Sequence, residues 1–401
     1  MKVLVINCGS SSIKYQLYDA DVEQVLAKGV VARIGEEGSY LKHEAGDVKL
    51  QKEMPAPSHR TGFELVVESL LDQNYGVIKD LSEVSAVGHR AVHGGDTFIE
   101  SIVITEDVIE KMEAYIPLAP LHNPANLIGI REAKRILPNV PHVAVFDTAY
   151  HQTMPPKAYL YALPYEYYET HKIRRYGFHG TSCRYIAQRM AEVLKQPLKD
   201  VKMVICHLGN GVTIAAIDGG KSVDTSLGFT PVPGVMMGTR CGDIDPGLIL
   251  YLNRQLGLSL DRIDDILNRE SGLLGVSGVT NDMRQIINNS GRSNQRCQLA
   301  MEMFVYHVKK YIGAYAAAMG GIDTLVFTAG IGENSSLTRA MICEGLGFLG
   351  IELDEIKNNE TLGMEQTISS SNSIVKVLVI PTNEERMIAL DTITLAFPSF
   401  E

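Results

Sequence analysis

No stretch of this 401-residue sequence approaches about 18 uninterrupted apolar residues, so no membrane-spanning helix is expected. Cysteine is sparse. The six residues, at 8, 183, 206, 241, 297 and 343, contain no CxxC pair, which argues against a disulfide framework. Basic runs are missing as well: 37 Lys+Arg against 47 Asp+Glu leave a net charge of −10, so no nucleic-acid partner is expected. Neither GxxxxGK[ST] nor a GxGxxG after a strand occurs, which excludes a P-loop and a dinucleotide fingerprint. HExxH is absent, and His89 and His93 precede Gly94-Gly95 in a stretch unfit for a helix, so zinc is not expected. The opening MKVLVINCGSSS has no long apolar core or cleavage site and reads as a first strand, with a cytoplasmic setting as the expectation.

What remains is ordinary globular usage, 45% hydrophobic and 21% charged, without low-complexity segments or long Pro/Gly linkers. At roughly 100–200 residues per domain, two domains are the simplest count. Strand-like runs fall at Val3–Ile6, Ile13–Tyr18, Val84–Val87, Val143–Phe146, Met203–Cys206, Val212–Ile217, Leu325–Phe327 and Ile374–Ile380. Helical periodicity covers Gly62–Leu71, with Thr61 as candidate cap, and also Glu106–Tyr115, Pro124–Leu137, Ser182–Leu194, Pro246–Leu256, Gln298–Met319, Leu337–Glu344 and Glu384–Ala396. Alternating strands and helices after an initial strand cluster predict an α/β fold with mixed sheets.

One internal echo organises the chain. The run from Val3 to Asp19 is strand, tight Gly/Ser turn, strand and Asp, and the run from Met203 to Asp218 repeats it about 200 residues later. Duplication explains the shared glycine, the closing aspartate and the half-chain offset better than chance hairpins do. Two such domains facing each other would form a cleft with one hairpin turn on each wall.

The turns themselves suit anions. Asn7-Cys8-Gly9-Ser10-Ser11-Ser12 offers backbone N–H groups and hydroxyls with Lys14 close behind, and His207-Leu208-Gly209-Asn210-Gly211 shares the logic. Thr328–Ser335, with Gly330 and Gly332, joins a strand to a helix start where a base and ribose could lie flat. Cations and histidines gather at 88–95, 121–124, 174–181 and 237–243, three of these stretches containing glycine, and rigidly framed arginines are good donors to phosphate or carboxylate. Asp147 ends an apolar strand, a position equally suited to a turn cap and to a site carboxylate.

These segments together resemble the acetokinase family, which includes acetate, propionate and butyrate kinases. The resemblance runs in order through VINCGSSSIKY (5–15), GHRAVHGG (88–95), PLHNPANL (120–127), VFDTAYH (145–151) and RRYGFHGTS (174–182). It continues through HLGNG (207–211), TSLGFTPVPGVMMGTRCGDIDPG (225–247), SGVTNDMR (277–284), FTAGIGENS (327–335) and IPTNEE (380–385). It implies two duplicated ribonuclease-H-like βββαβαβα domains of the actin-like ATPase fold around a central cleft. The boundaries expected are 1–148, completed by the C-terminal helix 385–401, and 149–384. It also implies a homodimer, domain closure and the reversible in-line reaction of ATP with acetate, giving ADP and acetyl phosphate.

Roles follow from the same resemblance. Arg90, Asp147, His179 and Arg240 fall at catalytic positions, and Arg90, Val92, Leu121, His122, Phe178 and Pro231 at the small-acid site. Nucleotide positions are Lys14, His207, Leu208, Gly209, Asn210, Gly211, Asp282, Met283, Arg284, Gly330, Ile331, Gly332, Glu333 and Asn334, with Ser10 and Ser12 in a phosphate loop. Asn7 and Glu384 match positions associated with Mg2+, for which Mn2+ substitutes, and the choice between Glu384 and Glu385 stays open. A general base is hardly needed, because acetate is ionised near neutral pH, so Asp147 is expected to act electrostatically. Propionate or another short-chain acid is the same-class alternative, and a non-catalytic actin-like nucleotide switch the different-class one. The latter has no need of Arg90, Asp147, His179 and Arg240 together. A low-pKa, oxidisable thiol at Cys8 or Cys241, both beside expected phosphate positions, is a lesser expectation.

Overall fold

The computed structural model describes residues 1–120, 122–290 and 294–398. The chain separates into two compact units, Met1–Tyr150 with Asn383–Glu401, and His151–Thr382.

The first unit contains β1 (Lys2–Cys8), β2 (Ser12–Asp19), β3 (Gln24–Ala32), β4 (Tyr40–Ala45), β5 (Val48–Glu53), β6 (Val84–Ala91), β7 (Ile102–Val103) and β8 (His142–Phe146). They form one sheet in the order β5-β4-β3-β2-β1-β6-β8-β7. β1 runs antiparallel to β2 and parallel to β6, which is parallel to β8. A central strand covered on both faces reads as a near-continuous apolar run, as β1 does. Leu4, Ile6 and Cys8 pack with Phe63, Val66 and Leu70 of the helix His59–Leu71 on one face. Val3 and Val5 pack on the other with Ile388 and Ala389 of the helix Glu384–Ala396. That last helix crosses β6 directly over Gly88. A Cβ there would lie 2.4 Å from Thr392 Oγ1 and 2.7 Å from Ile388 Cγ2, so the motif glycine is a close-approach residue. The crossing carries the start of the helix, Glu384, to the end of β6, where Arg90 lies.

The second unit contains β9 (Lys202–Leu208), β10 (Val212–Asp218), β11 (Lys221–Thr225), β12 (Thr324–Thr328), β13 (Gln366–Thr367) and β14 (Lys376–Val379), in the order β11-β10-β9-β12-β14-β13. Five strands therefore repeat one plan, β3-β2-β1-β6-β8 in the first unit and β11-β10-β9-β12-β14 in the second. The echo is this plan seen in sequence. Lys2 pairs with Asp19 and Lys202 with Asp218, and the second hairpin has a turn shorter by one residue, closing at Leu208↔Val212 instead of Cys8↔Ile13.

Two local expectations are corrected. The first helix begins at His59 and its cap is Ser58, not Thr61. Extended backbone at Ser58 lets its hydroxyl accept the Thr61 N–H at 3.3 Å. β3, β4, β5, β7, β11 and β13 were not legible as apolar runs. β5 reads VKLQKE with no buried residue, so pairing alone makes it a strand.

Candidate active site

In the first unit the chemistry gathers at the C-terminal ends of two parallel strands. Register places Arg90 beside Val145 and Ala91 beside Phe146, and Asp147 N–H donates to Ala91 O at 2.9 Å. Arg90 then grips Asp147 with two bonds, Nη2 to Oδ2 at 2.6 Å and Nε to Oδ1 at 3.2 Å. Glu384 Oε2 lies 3.8 Å from Arg90 Nε. Burial by itself would lower the Arg90 pKa, but Asp147 and Glu384 outweigh it and hold the group above its ordinary value. Burial pushes Glu384 the same way, above the usual carboxylate range, and the charges of Asp147 and Glu385 add to it while Arg90 and Lys14 oppose it. The Asp147 side chain is only 2% exposed, whereas Arg90 keeps 20%, so the arginine still reaches a ligand.

Asn7 and Lys14 face each other across β1 and β2. With Asn383, Glu385, Lys28 and Lys42 they line a cavity of about 770 Å³. The two neighbouring glutamates thus divide: Glu384 lies against Arg90, and Glu385 borders the cavity with Asn7 and Lys14. Consecutive helical residues project about 100° apart, which is why they part. Ser10 is exposed and Ser12 half-buried in a turn closed by Gly9 N–H donating to Ser12 O at 2.8 Å. Val92 is buried two residues beyond Arg90, its N–H donating to Asn126 Oδ1 at 3.0 Å. His122 is half-buried ahead of the helix Asn123–Ile136, and Leu121 lies outside the described residues.

In the second unit, His179 adopts left-handed backbone at φ 55° immediately before the helix Gly180–Leu194. Its Nδ1 is 2.9 Å from Thr213 Oγ1 on β10, and its ring stacks on His207 of β9 at 4.3 Å between centroids. His207 Nδ1 in turn meets Ser182 Oγ at 2.8 Å. A Cβ placed on Gly211 would lie 3.3 Å from His179 Cε1, 3.6 Å from His179 Nε2 and 3.5 Å from Arg240 Nη1. Imidazole and guanidinium therefore border one small volume over the hairpin turn, and glycine keeps it open. Arg240 Nη1 makes one long bond to Pro231 O at 3.4 Å, and among the described residues no carboxylate pairs with it. Burial lowers its pKa without an opposing charge. Phe178 is buried, its carbonyl within 3.0 Å of His151 Nε2.

Beside this turn is a cavity of about 500 Å³, in the range of nucleotide-sized ligand sites. Of the residues expected at a nucleotide, it is lined by Gly209, Asn210, Asp282, Met283, Arg284, Gly330, Ile331 and Asn334. Lys14 lines the 770 Å³ cavity of the first unit instead, His207 stacks on His179, and Gly211 borders His179 and Arg240. Leu208 is fully buried; Glu333 Oε1 accepts from Ala329 N–H at 2.7 Å and Thr382 N–H at 3.0 Å; and Gly332 is buried. Three lining residues were not anticipated: Asn281, Ile287 and Ser335. Adjacency to expected positions was the available signal for Asn281 and Ser335. Ile287 is reached by one helical turn from Met283. Arg284 is held to Asp282 at 2.6 Å with its side chain 85% exposed.

Two sequence expectations change in meaning. Arg174 and Arg175 are framework cations: Arg174 stacks over Tyr159, and Arg175 Nη1 donates to the carbonyls of Thr225, Ser226 and Leu227. The thiol idea is overturned, because burial pushes Cys8 up to about 12 and raises Cys241 as well, leaving both protonated.

The acetokinase family model matches residues 2–390. Acetate kinase of Clostridium botulinum (strain Alaska E43 / Type E3) is 56% identical over 397 residues, covering 98% of this chain and 100% of that protein. Acetate kinase of Thermotoga maritima is 55% identical over 394 residues, covering 98% of each. The crystal structure of Porphyromonas gingivalis acetate kinase superposes with a TM-score of 0.94 at 50% identity, covering 98% of this chain and 99% of that one. A propionate kinase from Francisella tularensis gives 0.92 at 42% identity over the same shares. Full-length identity of this order, on the same duplicated sheets, makes the chain a member of the acetokinase family, kinases that phosphorylate a carboxyl group.

Proposed function

We propose that this protein transfers the γ-phosphoryl group of ATP to acetate, reversibly and in one in-line step, giving acetyl phosphate and ADP. The observation that carries the reading is the pair His179 and Arg240 converging over Gly211, beside the cavity lined by Gly209 and Asn210. A transferring phosphoryl is loosely bonded and spreads charge over its equatorial oxygens, so donors around it are what catalysis requires. Arg240 brings a positive charge that no carboxylate among the described residues neutralises. Thr213 Oγ1 engages His179 at Nδ1, which leaves Nε2 as the ring nitrogen for the phosphoryl oxygens. Arg90, oriented by Asp147, holds the acid's carboxylate through its open edge. Asp147 is already engaged by two N–H donors and acts by charge and orientation.

Asp147, Glu384 and Glu385 put three carboxylates around Arg90 and Lys14, a surplus of negative charge that suits a divalent cation. Among the described residues no three His, Cys, Asp or Glu side chains form a full metal cage. Such a donor set fits Mg2+, or Mn2+ in its place, held through Asn7 and Glu384 and otherwise by water and phosphate oxygens. When bound, the ion offsets phosphate charge. Buried Val92 beside Arg90 limits the acyl chain, which favours acetate over propionate. We also place the enzyme in the cytoplasm as a homodimer. The helix Pro246–Arg254 supports the dimer, since it buries none of its residues and leaves Leu248, Leu250 and Tyr251 about half exposed.

A coupled acyl-phosphate assay with ATP, Mg2+ and two-, three- and four-carbon acids tests the reading. Phosphorylation of acetate with the highest kcat/KM is expected. Absence of transfer to any short acid would sink it, and a preference for propionate would move the assignment to that acid.

A further inference from the structure

We infer that Tyr311 is a positioning residue for Arg240, acting through Asp243. The inference rests on the reading of Arg240 as a donor to the transferring phosphoryl. Arg240 lies on the segment 226–245, which forms neither helix nor strand. Its guanidinium is anchored weakly, with Pro231 O at 3.4 Å and Met237 Sδ at 3.8 Å, so its placement depends on how the backbone is closed.

That closure centres on one carboxylate. Asp243 N–H donates to Gly234 O at 2.8 Å, and Gly234 N–H donates back to Asp243 Oδ1 at 2.8 Å. The second oxygen, Oδ2, accepts from the Tyr311 hydroxyl at 2.6 Å. Gly242 sits at φ 74°, where a Cβ would meet Gly234 O at 2.6 Å, so the arms of the loop are as close as backbone allows. Tyr311 belongs to the helix Gln295–Met319, whose Phe304, Val308, Ile312 and Tyr315 are in the core, which makes it a rigid post. One turn earlier, His307 Nδ1 takes the Met236 N–H at 3.4 Å. Burial raises the Tyr311 pKa, so the hydroxyl stays a donor at neutral pH. A cavity of about 180 Å³ lined by Gly234, Asp243, His307, Lys310, Tyr311 and Ala314 separates loop and helix. It leaves room for the loop to drift once the hydroxyl is removed. Arg90 has no such dependence, because two carboxylates hold its head directly.

The test is Tyr311→Phe, which keeps the ring and deletes one bond. We expect kcat to fall about tenfold, as a small misplacement of a catalytic group costs, with KM for ATP and the melting temperature nearly unchanged. Tyr306→Phe, on the exposed part of the same helix, should match the parent. On an Arg240→Ala background Tyr311→Phe should cost nothing further, since it acts only through that arginine. Unchanged kcat, a loss confined to KM for ATP, or a full tenfold loss on the Arg240→Ala background would each overturn the inference. If Arg240→Ala itself keeps full kcat, the reading of Arg240 fails first, which separates the two failures. Asp243→Asn, expected to lose kcat in the same sense but less, carries the test if Tyr311→Phe does not accumulate folded.

Discussion

The two arginines proposed for catalysis are held in opposite ways. Arg90, in the first unit, is bound by Asp147 through two hydrogen bonds and has Glu384 at 3.8 Å. Arg240, in the second, is partly buried, with Pro231 O and Met237 Sδ as its hydrogen-bond partners and no carboxylate paired with it among the described residues. A neutralised guanidinium is oriented but adds little net charge, which suits a substrate carboxylate that is charged in the ground state and gives up that charge as the acyl phosphate forms. An uncompensated guanidinium costs desolvation in the resting enzyme and returns it when negative charge develops nearby, which suits a transition state. The difference teaches that equal residue types in equivalent units carry different electrostatic work, set by which carboxylates the fold brings to each.

The comparison breaks most visibly at Arg240. Arg240→Ala should lower kcat by about 10²–10³-fold with a small change in KM for acetate, as loss of a transition-state donor does. A change in KM alone would make Arg240 a uniform binder like Arg90. Gly211→Ala should be next. Its methyl would stand 3.3 Å from His179 Cε1 and 3.5 Å from Arg240 Nη1, in the volume the phosphoryl needs. We expect about a tenfold or greater loss in kcat by steady-state kinetics, with folding intact by circular dichroism. Parent-like turnover would show that the two donors do not share that space.

The Arg90 side is sharpened by smaller effects. Val92→Ala should raise the propionate-to-acetate ratio of kcat/KM by about tenfold, since one methylene is worth about 1–3 kcal/mol. No shift in the ratio would remove Val92 from the acid site. The strand bearing Arg90 also rests on neutral histidines. Burial lowers His89 and His142, and it lowers His93 from 6.5 to about 4, with His93 Nδ1 accepting from Gly95 N–H at 3.0 Å. These groups stay neutral in the fold while the unfolded chain takes up protons below 6.5, so stability is full above that value. It falls as pH drops toward 4, by about 1.4 kcal/mol per pH unit for each such histidine. Urea unfolding at pH 7 and 5.5 should show the loss, and His93→Asn should flatten it. Constant stability across that window would contradict neutral burial.

Much of the architecture was legible because it follows periodicity. The runs at Val3–Ile6 and Met203–Cys206, the glycine turns and the closing aspartates located both central hairpins. The motif stretches also pointed to the loops that line the 500 Å³ cavity. Facing within those stretches was not legible. Glu333 turns to backbone N–H groups while Asn334 lines the cavity, and Arg175 fastens carbonyls although its motif carries His179. The polar strand β5 escaped detection because its partner, not its composition, makes it extended.

By itself, then, the amino-acid sequence determined the apolar strands, the long helices, the duplicated plan and the family, since these rest on local spacing of apolar residues, glycines and motif residues along one chain. Only the tertiary structure decided which charges are neutralised. Asp147 meets Arg90 because β6 and β8 lie side by side, Glu384 joins them because the last helix crosses over Gly88, and Tyr311 reaches Asp243 from 68 residues away. Electrostatic character depends on distance and burial, which are properties of packing and have no period in a sequence.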